Sequence, residues 1–343
     1  MRVRQLMGRA PSSWSAEEVD RSRRFVAANA SLLAACERAA ERRERRGTAF
    51  DGGAALPWES ADINQLWRRA HNQSILLRTR IGLGLRERSP GEVRRGMEAL
   101  AAEVEAYAAE PGMLFQLYEL PLEKSLLRAM AWVAAERDID SGDLAAMRQL
   151  LHRRPVAATI RRAFAGEAGY LLAIEGRRGY QRLSDADAAE VLDGYRRLAL
   201  ALARMTGTRG AAGAAGVRES PHAARYPTMA RAILALVRPN FEEVAKQIAA
   251  TAAARQLAEL AFDLRLAGRR ECAYPETLEG VPRAGEPDPF TARLPSYRRG
   301  AVGGALLANP SAAAAWQALP RCATSLPLPF EWRLPPPCAA AAM

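Results

Sequence analysis

Lysine is almost missing from this chain. Lys124 and Lys246 are the only two among 49 Lys and Arg residues, so arginine carries the formal net charge of +11. A basic chain invites a nucleic-acid reading. Here the arginines are spread along the whole sequence and interleaved with acids, whereas specific recognition needs a concentrated face. Arginine over lysine, with abundant alanine, is also what GC-rich coding gives. Nucleic acid is therefore not the expected partner.

Histidine is scarce too: His71, His152 and His222 lie in three separate segments. A catalytic histidine needs a nucleophile or carboxylate within hydrogen-bond reach, and no local motif supplies one. The four cysteines are Cys36, Cys272, Cys322 and Cys338, with no CxxC pair and no neighbouring histidine. That excludes a local zinc motif. A disulfide from Cys272 to Cys322 or Cys338 would need an oxidising compartment. Neither GxGxxG, GxxxxGK, HExxH nor GxSxG occurs, so no cofactor, metal or catalytic residue is assigned.

Long apolar runs are lacking. Stretches such as 198–203 fall far short of the roughly 20 residues that a spanning helix needs, so no transmembrane segment is expected. The basic start, 1–9, has no apolar run behind it, unlike a signal peptide. The sequence as written points to the cytoplasm, with a periplasmic or anchored location as the alternative if its start is incomplete.

What is present is ordinary globular composition, 49% hydrophobic and 25% charged, which argues against general disorder. Helical periodicity dominates. Ser15 and Glu18 form a capping-box pattern. Phe25, Leu32, Leu33 and Cys36 then share a face out to Arg46, where a run of arginines suits the helix dipole. Ile63, Trp67, Ala70, Ser74, Leu77 and Ile81 repeat at three or four. Val93, Met97, Leu100, Val104 and Tyr107 form the cleanest stripe. Apolar spacing continues from Leu114 to Val133 through Pro121, from Leu144 to Leu151, from Val156 to Leu171, and from Val191 to Met205 behind a Ser184 cap. A helix is predicted from Tyr226 to Val237, restarting at Pro239 and running about seven turns to Ala267. Turns at 47–57, 89–91, 111–112 and 140–143 separate these helices.

The predicted fold is mainly α, an array of antiparallel helical hairpins with a small Pro-rich irregular or β-containing C-terminal unit. The domain reading is a helical array over 1–205 and a flexible Gly-rich linker over 206–225. A long helix with the C-terminal unit follows over 226–300, then a largely irregular Pro/Ala-rich tail over 301–343.

For chemistry, paired carboxylates are the default search. Glu167 is the acidic candidate, with Glu175 near it, although Arg161, Arg162 and Arg177 offer simple ion-pair partners. Trp14, Trp58, Trp67 and Trp132 sit near helix stripes, where packing is the commoner use. The most distinctive segment is Tyr274-Pro275-Glu276-Thr277-Leu278, followed by Asp288-Pro289-Phe290-Thr291 and Tyr297-Arg298-Arg299. Asp288 before Pro289 can set a turn, and Tyr274 and Leu278 can cover the end of the preceding helix. Tyr274, Pro275, Leu278, Asp288, Pro289 and Phe290 are therefore the candidate C-terminal docking element.

A long helix leading into Tyr-Pro-x-x-Leu and then Asp-Pro-Phe resembles the ending of a group of uncharacterised, largely helical bacterial proteins of planctomycete-like and myxobacteria-like genomes. It is loosely similar to the C-terminal part of type II secretion pseudopilins. Residues 89–113 and Phe164-Ala165-Gly166-Glu167 match further elements of the group. The group's terminal strand, Tyr-Ser-x-Gly, is not found in 301–308, and neither is its membrane anchor. The resemblance implies a helical fold and an envelope location, and it carries no catalytic residues. The expected function is a non-enzymatic scaffold or protein-interaction protein with a protein partner. The alternatives are an enzyme with a carboxylate site assembled from distant segments and a weak nucleic-acid binder.

Overall fold

The computed structural model describes residues 9–46, 63–109, 113–151, 155–177, 185–208, 228–301, 303–319 and 327–338. Among them the chain is mainly helical with one small antiparallel sheet. Helix α1 (Ala16–Ala28) opens on the predicted capping box: Glu18 N donates to Ser15 Oγ at 3.2 Å and Ser15 N to Glu18 Oε2 at 2.8 Å. The periodicity read as one helix breaks at Asn29, and α2 is Ala30–Arg46. Helix α3 (Ile63–Arg86) turns tightly into α4 (Pro90–Ala109), with Arg88 at φ 54° and Ser89 N bonded to Gly84 O at 2.8 Å.

Helix α5 (Met113–Ala135) continues through Pro121, whose carbonyl accepts from Ser125 Oγ at 2.8 Å. Helix α6 (Ser141–Gln149) is capped by Asp140, which accepts from Asp143 N at 2.7 Å. Helices α7 (Val156–Arg177) and α8 (Asp185–Thr208) precede α9 (Thr228–Glu271), the longest at 44 residues. The predicted restart at Pro239 is corrected, because α9 runs through it without a break. A proline removes one i→i−4 bond, and the buried residues from Val244 onward pack the continuing helix into both cores. Of the predicted linker, 206–208 still belong to α8, and the remainder lies outside the described residues. None of the described helices is long and apolar enough to cross a membrane.

The buried side chains form two cores. The larger joins α1 to α6, the C-terminal part of α9 and the residues beyond it. The smaller is built by Ile160 and Phe164 of α7, Val191, Tyr195 and Leu202 of α8, and Val244 and Ile248 of α9, with Leu120 from α5. Helices α5 and α9 thus contribute to both.

After α9 the chain folds back on itself. Strands β1 (Ser296–Arg299), β2 (Ala305–Ala308) and β3 (Glu331–Leu334) pair antiparallel in that order, and α10 (Pro310–Gln317) lies between the last two in sequence. Within the segment read as a largely irregular tail, 301–343, these short elements are regular, and Leu307, Trp316, Phe330 and Trp332 are core residues. In β3 the order Glu-Trp-Arg-Leu buries every second residue, the pattern of a half-buried strand. Five residues between Pro329 and Pro335 are too few for that alternation to stand out. The β1–β2 hairpin also forms without the strand motif that the resemblance led one to seek. Its turn ends at Gly303 with φ 80°, a conformation that favours glycine. Trp332 meets Phe262 of α9 edge-on at 6.4 Å, and Cys272 is disulfide-bonded to Cys338, one of the two pairings open from the sequence.

Candidate functional site

A polar seam lies where the two cores meet. Gln116, Glu119 and Glu123 project from successive turns of α5, since a spacing of three or four keeps side chains on one face. Thr159 of α7 and Arg255 of α9 complete it, and all five are buried. Arg255 Nη2 donates to Glu123 Oε1 across 132 positions of sequence. These residues line a cavity of about 20 Å³ with Leu120, Val156, Ile248 and Ala252. That is room for one water and far below the roughly 300–1,000 Å³ of a metabolite pocket.

One turn further along α9, Glu259 and Asp263 are met by Arg148 of α6, at 3.6 Å and 2.9 Å, and Arg283 reaches Glu259 at 3.0 Å. The seam therefore sets cations against anions inside the fold. No group of three or more metal-ligating side chains occurs among the described residues.

Other arginines are consumed by helix ends, which leave carbonyls without intrahelical partners. Arg265 donates to Ala134 O at 3.1 Å and Glu136 O at 2.8 Å, closing α5. Arg269 adds Ile139 O at 3.0 Å, and Arg162 reaches Ala108 O at the end of α4. Arg78, Arg80, Arg255 and Arg265 are the buried arginines among the described residues, while most of the others are at least partly exposed.

The candidate docking element faces inward. The Tyr274 ring lies where a side chain on Gly268 of α9 would have to sit, and its hydroxyl donates to Pro335 O at 2.8 Å. Burial pushes its phenol up to about 12, against the opposing pull of Arg265. Pro275 O accepts from Tyr297 at 2.7 Å, Leu278 packs on the larger core, and Phe290 is fully buried. Pro289 is half-buried beside them. Asp288 is a buried hub: it accepts from Phe290 N at 2.8 Å, Thr291 N at 2.7 Å and Asn309 Nδ2 at 2.9 Å, and also from the Thr291 hydroxyl.

Glu167 is half-buried on α7, outside the seam, where it and burial raise the phenol of Tyr195. His71 is half-buried in α3, while His152, His222, Trp58 and the side chains of Glu175 and Trp67 lie outside the described residues. Trp14 and Trp132 are core residues packed edge-on at 6.4 Å. The seam residues Glu119, Glu123 and Arg255 escaped sequence reasoning. Their signal was a Glu pair at i, i+4 inside a predominantly apolar helix.

Among the described residues, one edge of the sheet stays open. Gly300 N donates to Gly304 O at 2.7 Å, and β1 pairs Arg299 with Ala305 and Arg298 with Leu306. Antiparallel pairs alternate between bonded and non-bonded. Ser296 and Arg298 therefore bond β2, while the amides and carbonyls of Tyr297 and Arg299 point away from it. Strand β3 packs on α5 and α9 at the far side of the sheet. Ser296, Arg298 and Arg299 are exposed, and Leu294 just before them is 57% exposed, the highest among the exposed large hydrophobic residues described.

No protein-family model, no curated protein and no solved structure matches this chain.

Proposed function

We propose that this protein is an interaction module, and that an extended acidic segment of a protein partner adds to the free edge of β1. The single observation that carries this reading is that edge, where no described residue pairs with the outward backbone groups of Tyr297 and Arg299. Strand addition uses such groups for affinity and alternate side chains for choice of partner. Arg298 and Arg299 supply positive charge and Leu294 an apolar contact, so the complementary segment carries acids beside one apolar residue. The helical array acts as the scaffold that holds the edge in place. The Cys272–Cys338 disulfide supports an oxidising compartment as the place of action, in keeping with the envelope location that the resemblance implies. The enzyme alternative would rest on the seam, where the ion pairing of Glu123 and the water-sized cavity favour a structural role.

A displayed library of eight-residue peptides, selected on the purified full chain, tests this reading. Enriched binders should be acidic and free of proline. Arg299→Pro removes an outward N–H while leaving the bonds to β2, as tolerated on edge strands. It should weaken the selected peptides at least tenfold, and so should Arg298→Glu. Selection of basic or helical peptides, or full binding by Arg299→Pro, would contradict it.

A further inference from the structure

The interface between α3 and α5 holds a positive charge that no described residue offsets. Arg78 of α3 is 1% exposed, and its Nε and Nη1 have no hydrogen-bond partner. The charged group acting on it is another arginine, Arg128 of α5. The Nε of Arg128 is also buried without a partner, while its Nη2 donates to Pro327 O at 3.1 Å. One turn along both helices, the Trp14 ring packs on Gly82 and on Trp132, and its Nε1 is a further buried donor without an acceptor.

This arrangement is the reverse of the seam, where Arg255 meets Glu123. Burial and Arg128 together pull the Arg78 guanidinium down to about 9, which leaves it cationic at neutral pH. A buried charge without a counter-charge is among the costliest arrangements in a protein, and buried orphan donors call for a partner. The guanidinium donors suit an oxyanion, whose oxygens accept charge-assisted N–H bonds. Arg128 is half-buried and donates to the carbonyl of the exposed Pro327, so its guanidinium lies nearer the surface than that of Arg78.

We propose that Arg78 and Arg128 form a binding site for a small oxyanion, a phosphate or a carboxylate, entering beside Pro327. The site is separate from the β1 edge and does not depend on it.

Thermal unfolding of the full chain in chloride buffer at constant ionic strength tests the site, with sodium phosphate in one arm and sodium acetate in the other. At roughly a hundred times Kd, the anion should raise Tm by about 4 °C, saturably. A shift in the phosphate arm alone assigns phosphate, a shift in the acetate arm alone assigns carboxylate, and a shift in both supports the shared site. Arg78→Met fills a similar volume without charge, so without added anion it should be at least as stable as the parent and should lose the shift. Arg128→Gln should lose the shift as well. A lack of saturable shift in both arms, or the full shift in either variant, would overturn the proposal.

Discussion

The helical array and the C-terminal unit dispose of their polar groups in opposite directions. In the array, Arg255, Arg148 and Arg265 point inward, to Glu123, to Asp263 and to a carbonyl at the end of α5. In the C-terminal unit, Asp288 gathers the loops from within, yet β1 leaves backbone groups and two arginines at the surface. Net charge therefore says little about what a basic protein binds. Arg255, Arg265 and Arg269 of α9 are spent on folding, whereas Arg298 and Arg299 of β1 are exposed.

The strongest way to break this comparison is to remove an internal partner. Glu123→Ala removes the buried carboxylate that Arg255 Nη2 meets in the seam, and urea unfolding should show a loss of roughly 3–5 kcal/mol. A loss below about 1 kcal/mol would mean that the seam is wetter than its burial indicates.

Next in size is the staple of the C-terminal unit. Replacing Cys272 and Cys338 with serine opens a loop spanning 66 positions and should cost about 2–4 kcal/mol. Hydrogen exchange should rise first at β1 to β3, with α3 to α5 keeping their protection. Equal loosening of both regions would erase the distinction between them.

Smaller, and opposite in sign, is the effect of pH on Arg78. Its folded-state value of about 9 lies below the ordinary 12.5, so the unfolded chain holds the proton more tightly. The penalty is complete below about 9 and fades as pH rises through that value. Tyr274, raised to about 12, works the other way above pH 10, so the measurement is a difference between parent and variant. The stability advantage of Arg78→Met should shrink by about 1 kcal/mol between pH 8 and pH 10. A constant difference would show that Arg78 is already neutral or already paired.

The helices could be read from the sequence because their signals are local: a capping box at Ser15 and Glu18, stripes at three and four, and turns at Pro and Gly. The break at Asn29 and the continuity through Pro239 depend on packing, and periodicity does not report packing. Helix α3 shows the same limit. Residues 74–85 are all buried, so the stripe from Ile63 to Ile81 marks only part of an interior helix. Arg78, one turn after Ser74, lay on that stripe without drawing notice. The seam depends on Glu123 meeting Arg255 over 132 positions, which no spacing rule reaches. Tyr274, Asp288 and Phe290 stood out by their turn chemistry, and the structure gives them inward contacts. The exposed residues beside them, Arg298 and Arg299, entered the sequence reading only as the end of a resemblance.

The smallest expected effect on stability belongs to the most consequential position. Arg299→Pro should change folding stability by no more than about 0.5 kcal/mol, since its amide bonds nothing in the sheet. Amide hydrogen exchange of the full chain, with and without a selected acidic peptide, then tests the β1 edge directly. Ser296 and Arg298 should be protected by β2 in both states, while Tyr297 and Arg299 gain protection only when the peptide is bound. Protection that appears elsewhere, with Tyr297 and Arg299 unchanged, would contradict strand addition at β1.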